Sequence, residues 1–187
     1  MTLYEDAVRV LGEWVAPDEE QAAVRDRFLE LLGSSPDVVL AQHPEAHLTA
    51  SVMLVRADLS QVLLCLHGKV RRWVQLGGHL EPGDPSLVAA GLREATEESG
   101  IAGIVVHPVP IGLDIHPVTC RSGPSYHYDV RFAGLAPDGA VEAVSPESLR
   151  LAWFAPDELP EPLASATAPL VGPAIAAFRS GAGRPAP

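Results

Sequence analysis

Apolar positions along the chain follow two patterns, helical at first and strand-like afterwards, and the change comes near His43-Pro44. Leu3, Ala7, Val10, Leu11 and Trp14 recur three and four residues apart. Ala22, Val24, Phe28, Leu31 and Leu32 continue at helical spacing after a break at Ala16-Pro17. The spacing predicts two amphipathic helices over residues 3–33. Asp18 stands where the second needs a cap, and Gly33-Ser34-Ser35-Pro36 ends it with turn residues. Beyond His43-Pro44 the runs shorten. Leu48–Val55 and Val62–Leu66, separated by Asp58-Leu59-Ser60, read as paired strands. Trp73–Leu76 reads as a third strand entering a loop at Gly77-Gly78. A helix follows over Pro85–Ser99 and stops at Gly100.

Residues 104–118 are apolar but punctuated by prolines, and the pattern assigns them no element. Tyr126–Phe132 alternates, with Tyr126, Tyr128, Val130 and Phe132 on one face and His127, Asp129 and Arg131 on the other. Leu149–Phe154 reads as a last strand and Leu170–Phe178 as a short final helix. Strands interspersed with helices predict an α/β layered domain with a mixed sheet. The expected organisation is a helical N-terminal extension over 1–40 packed on a domain spanning 41–180, followed by a disordered tail at 181–187.

Composition narrows the class. At 187 residues one domain with an appendage fits, and such a chain hides roughly 70% of its unfolded surface, enough for a core without disulfides. Hydrophobic residues make up 47% and charged residues 20%, as in soluble globular proteins. The net charge of -11 argues against a nucleic-acid polymer or an anionic membrane as partner, since both need a cationic footprint. Residues 1–40 hold nine acids against three arginines and no evident chemistry. They are expected to cover a sheet or to make a partner contact, such as that of a homodimer. Cys65 and Cys120, the only cysteines, cannot build a disulfide framework and are read as buried small hydrophobes. The acidic N-terminus lacks an export signal and no apolar run reaches the ~20 residues that span a bilayer, so a cytoplasmic location is expected.

The chemistry concentrates in Arg93-Glu94-Ala95-Thr96-Glu97-Glu98-Ser99-Gly100-Ile101. On a helix Glu94, Glu97 and Glu98 share an arc of about 100°. They lie in the last turns, where the helix dipole disfavours each negative charge by about 0.3–1 kcal/mol. A solvated acidic face is one reading. The other is a hard divalent cation, Mg²⁺ or Mn²⁺, which takes oxygen ligands and removes the repulsion.

With Gly77-Gly78-His79-Leu80-Glu81-Pro82-Gly83-Asp84 directly upstream, the stretch resembles the box of the Nudix hydrolases, G-x5-E-x7-R-E-U-x-E-E-x-G-U, where U is a bulky aliphatic. From Gly78, five residues lead to Asp84 and eight more to Arg93. Three departures stand out: Asp84 replaces a glutamate, one extra residue precedes Arg93, and Ala95 is small for its position. The resemblance implies an α/β/α sandwich that hydrolyses a pyrophosphate bond in a nucleoside diphosphate linked to another moiety. It implies Mg²⁺ or Mn²⁺ on Glu94, Glu97, Glu98 and the carbonyl of Gly77. Arg93 would orient that cluster, braced by Asp84 or by Glu81. The alternative is a catalytically weak module of the same fold that senses a nucleotide or scaffolds a partner.

Enzymes of this family often take a base or an extra ligand from a loop outside the box. Glu147, ahead of the last strand, is the first candidate and Asp129 the second. His79, which follows the glycine pair, and His127, beside Asp129, are candidates for substrate contact. Lys69 and Arg71-Arg72 could meet phosphate or be solvated turn residues, and Trp73 is read as core ahead of a stacking platform.

Overall fold

The computed structural model describes residues 1–120, 123–143 and 148–179. Helix α1 (Leu3–Glu13) opens with a capping box, in which Thr2 Oγ1 accepts from Glu5 N and Glu5 accepts from Thr2 N. Helix α2 (Glu19–Ser34) is capped by Asp18, as its position predicts. A 3-10 turn at Pro36–Val39 leads into the sheet.

Eight strands follow: β1 (Ala46–Val55), β2 (Val62–His67), β3 (Trp73–Val74), β4 (Leu76–His79), β5 (Val105–Val106), β6 (Gly112–Cys120), β7 (Gly123–Leu135) and β8 (Ser148–Phe154). Helix α3 (Leu87–Ser99) lies between β4 and β5, and α4 (Ala168–Arg179) ends the described chain. β1 and β7 run parallel, from Ala46 opposite Tyr126 to Val55 opposite Leu135, and the other pairings are antiparallel. The sheet is therefore mixed, as expected. The other edge of β1 is shared, with β4 along Thr49–Val52 and β2 at Leu54 and Val55.

Every β1 residue is buried, because helices cover both faces of the sheet. On one face Leu48, Ala50, Val52, Val130 and Phe132 pack with Leu3, Ala7, Val10 and Leu11 of α1, Phe28 and Leu32 of α2, and Leu87, Ala90 and Ala95 of α3. Fully burying each large side chain contributes about 1.5–3 kcal/mol. On the other face Met53, Val55, Val62 and Leu64 meet Leu170, Val171, Ile175 and Phe178 in and around α4. Gly91 lets α3 approach closely, since a Cβ there would stand 3.2 Å from Val52 Cγ2.

The structure changes three readings. The predicted Trp73–Leu76 strand is two short strands, β3 against β2 and β4 against β1. The proline-punctuated stretch holds β5 and most of β6; Pro117 is tolerated because β6 is a sheet edge, pairing among the described residues only with β7. The third concerns Cys120. Cys65 is buried in the core as expected, whereas Cys120 is only half-buried, at the end of β6.

Candidate active site

Ser86 caps α3, its Oγ accepting from Ala89 N, and Gly100 ends the helix in the left-handed region at φ 68° with its N–H on Thr96 O. Glu94, Glu97 and Glu98 occupy the final turns between these stops. Glu98 is buried and its Oε2 accepts from Gly77 N at 2.9 Å, tying the helix to the glycine loop. Backbone crowding requires the first glycine, and the second leaves room for a side-chain carboxylate. Gly77 sits at φ 153° with Ser51 so close that a Cβ would fall 2.5 Å from it, and a Cβ on Gly78 would stand 2.8 Å from the Glu94 carboxylate.

Arg93 braces this arrangement from one side. Its Nε and Nη2 donate to the two oxygens of Asp84, each at 3.0 Å, its Nη1 donates to Glu94 at 2.9 Å and to Glu97 at 3.3 Å, and its Nη2 donates to His79 O at 2.8 Å. The two-pronged contact resolves the alternative in favour of Asp84, since Glu81 Oε2 lies 4.0 Å away. Asp84 also accepts from Glu81 N at 2.8 Å, which closes the loop over the extra residue. Burial pushes the Asp84 carboxyl up, but the Arg93 hydrogen bonds and the Glu81 amide outweigh it and hold it below its ordinary range. Hydrogen bonds to Asp84 raise the Arg93 guanidinium, which stays charged.

Helix α1 holds the start of α3, the end opposite its carboxylates, through a contact that the sequence does not predict. Asp6 of α1 is buried; its Oδ2 accepts from Leu87 N, the first residue of α3, at 2.8 Å, and its Oδ1 accepts from Arg9 at 2.7 Å. A carboxylate at that end favours the helix dipole. The signal was present, because Asp6 falls within the apolar stripe of Leu3, Ala7 and Val10.

All the donors at the α3 site are oxygens, three carboxylates and the neighbouring loop carbonyls. Glycine at position 78 keeps the Glu94 carboxylate accessible to the loop. That donor set fits a hard divalent cation.

Register puts Gly77 and His79 on the face opposite Gly78, beside Ser51 and Thr49. There Asp129 is buried and accepts from Thr49 at 3.1 Å, Ser51 at 2.8 Å, Arg131 at 2.9 Å and more distantly from Gln75. Arg131 also pairs with Asp114 at 2.9 Å. Both Asp129 oxygens are thus engaged within the sheet. His79 and His127 do come together, Nε2 to Nε2 at 3.2 Å, alongside His47 and Cys120. Burial, then the neighbouring His79 and His47, drive the His127 imidazole down to about 3, and burial lowers His47 as well. Glu147 lies outside the described residues. Trp73 is core, edge-on to Phe154 with centroids 4.9 Å apart, and Lys69 and Arg71 are exposed in the β2–β3 turn.

The model of the NUDIX domain family matches residues 45–172. No curated protein matches the chain. Among solved structures, a NUDIX-family hydrolase from Clostridium perfringens aligns with a TM-score of 0.56 at 22% identity, over 72% of this chain and 97% of that one. An Ap4A hydrolase binary complex from C. elegans aligns at 0.52 and 18%, over 72% and 98%. The NUDIX domain of Shewanella oneidensis NrtR, complexed with ADP ribose, aligns at 0.50 and 19%, over 68% and 84%. At these identities the likeness is one of fold.

Proposed function

The chain belongs to the Nudix family and is a hydrolase acting on pyrophosphate bonds, and on that premise we propose that its substrate is a nucleoside diphosphate linked to another moiety, cleaved with Mg²⁺ or Mn²⁺ held by Glu94, Glu97, Glu98 and the carbonyl of Gly77. The observation that supports the reading is that Glu94, Glu97 and Glu98 share the last turns of α3, with Glu98 tied to Gly77 at 2.9 Å and Arg93 bridging Glu94 and Glu97. Without a cation this crowding of charge at the wrong end of a helix dipole is unfavourable.

When bound, the cation neutralises the diphosphate and makes phosphorus more electrophilic. The chain's own groups do the rest. Glu94, Glu97 and Glu98 define the position at which phosphate oxygens are accepted into a site otherwise repulsive to anions. Arg93 does not meet substrate in this reading; held by Asp84, it fixes the rotamers of Glu94 and Glu97. A carboxylate takes a proton from the attacking water as the phosphorus–oxygen bond to the leaving group breaks. Glu98, buried beside the loop, fills that role together with Glu147, which its place ahead of β8 nominates. Asp129, with both oxygens engaged, positions the sheet beneath the loop. The protein works in the cytoplasm in this reading, with residues 1–40 packed as a helical extension on the domain of 41–180, and among the described residues no helix is long and apolar enough to cross a membrane.

The test is release of phosphate or nucleotide from dinucleoside polyphosphates, ADP-ribose, nucleotide sugars and nucleoside triphosphates, with Mg²⁺ and Mn²⁺ in parallel. The Ap4A hydrolase and the ADP-ribose-bound domain of similar fold put the first two at the head of the panel. Turnover of a linked nucleoside diphosphate supports the reading. Tight nucleotide binding without turnover in either metal contradicts it.

A further inference from the structure

We propose that His47, His79, Cys120 and His127 form a second metal site, selective for zinc or a similar borderline transition ion and separate from the carboxylates of α3. One donor atom from each of the four lies within 4.8 Å of every other. The Nε2 atoms of His79 and His127 are 3.2 Å apart, Cys120 Sγ is 3.7 Å from His127 Nε2, and it is 4.0 Å from His47 Nε2. A tetrahedral zinc with bonds of about 2.0–2.1 Å to nitrogen and 2.3 Å to sulfur spaces its ligand atoms about 3.3–3.6 Å apart. These three separations straddle that spacing, and the remaining pairs, none beyond 4.8 Å, close by at most about 1.5 Å, which side-chain rotation supplies. A hydrogen bond between two imidazoles would account for the first distance alone. It does not account for a third imidazole and a thiol converging on the same point.

The second observation is orientation. His47 Nδ1 faces the carbonyl of His43 at 3.3 Å, and a proton on Nδ1 leaves the Nε2 lone pair directed at the cluster. A ligating histidine is commonly fixed by such an outer contact. The four ligands come from four strands, β1, β4, β6 and β7. Register assembles them, with His47 beside His127 and Thr49 beside His79, while Cys120 closes the β6–β7 pairing opposite Gly123. Nitrogen and thiolate donors favour zinc over magnesium, so the two sites sort their ions by chemistry. With four protein ligands the site is closed, and its role is to pin four strands beside the glycine loop. His79 carries that effect to the α3 site, because its carbonyl accepts from Arg93 at 2.8 Å.

The full-length protein, stripped of metal and returned to excess Mg²⁺, is titrated with Zn²⁺ and with Co²⁺. One Zn²⁺ should bind with Kd below about 1 μM and release the Cys120 thiol proton. Co²⁺ should give a thiolate-to-metal charge-transfer band that Cys120→Ser abolishes. His127→Asn should weaken Zn²⁺ by at least about tenfold, and Cys120→Ser, a near-isosteric change, carries the test if the histidine variant fails to fold. Glu98→Gln should leave Zn²⁺ affinity unchanged, which separates this site from the proposed hydrolytic one. Zn²⁺ binding no tighter than Mg²⁺, binding that Cys120→Ser and His127→Asn leave intact, or binding that Glu98→Gln removes would each overturn the proposal.

Discussion

Asp6, Asp84 and Glu98 are acids that the fold buries, and each holds a backbone amide. Asp6→Ala should cost about 1–2 kcal/mol by removing the carboxylate on Leu87 N, read as a lower urea midpoint at unchanged slope. Asp84→Asn should destabilise by about 1–3 kcal/mol, since it breaks charged hydrogen bonds to Arg93. The folded Asp84 carboxyl lies below its ordinary 3.8, so its contribution is present above that pH and is lost as pH falls through the folded value. Urea midpoints for Asp84→Asn should therefore fall less steeply with acid than those of the wild type. At this scale the sequence was informative where residues act in a run. The box from Gly77 to Gly100 is contiguous, so its carboxylates could be placed on one helix face from spacing alone. Asp6 escaped because its partner, Leu87, is 81 residues away. The four-residue His/Cys cluster escaped for the same reason, each member coming from a different strand.

At the level of elements, hydrophobic periodicity located α1, α2, α3, α4, β1, β2 and β8 to within a few residues. It missed β6, because prolines that would disqualify a central strand are harmless on an edge. The free edge of β6 is covered by α2, where the Gln21 amide pairs with the backbone of Leu113, accepting from its N–H at 2.8 Å and donating to its carbonyl at 3.2 Å. Gln21→Ala should cost about 1–2 kcal/mol, seen as faster amide hydrogen exchange at Leu113. The contact of α3 with the sheet is tighter still. Gly91→Val should overpack against Val52 and cost about 1–3 kcal/mol. Helix propensity alone would favour the change at Gly91, so the sign of the measured effect distinguishes packing from propensity.

Across the whole molecule, the two helical layers separate a packing face from a polar one. α1 and α2 cover the sheet beside α3, with Asp6 joining the first helix to the start of α3. On the opposite face the apolar end lies under α4, while the other end carries Asp129, Arg131 and the imidazoles. An α/β layered domain with a mixed sheet could be read from the order of elements, but this division could not, because it depends on strand register and on which edge of β1 takes β4. The net charge of -11 is likewise a sum over unlike parts, mostly solvated acids plus three glutamates gathered on the last turns of α3. The most direct measurement of the central claim compares wild type and Glu98→Gln for ADP-ribose and Ap4A hydrolysis across a Mg²⁺ titration, with folding checked by circular dichroism. The expected result is Mg²⁺-dependent turnover in the wild type and a loss of at least about 100-fold in kcat for the folded variant. Turnover by Glu98→Gln equal to that of the wild type would contradict the account.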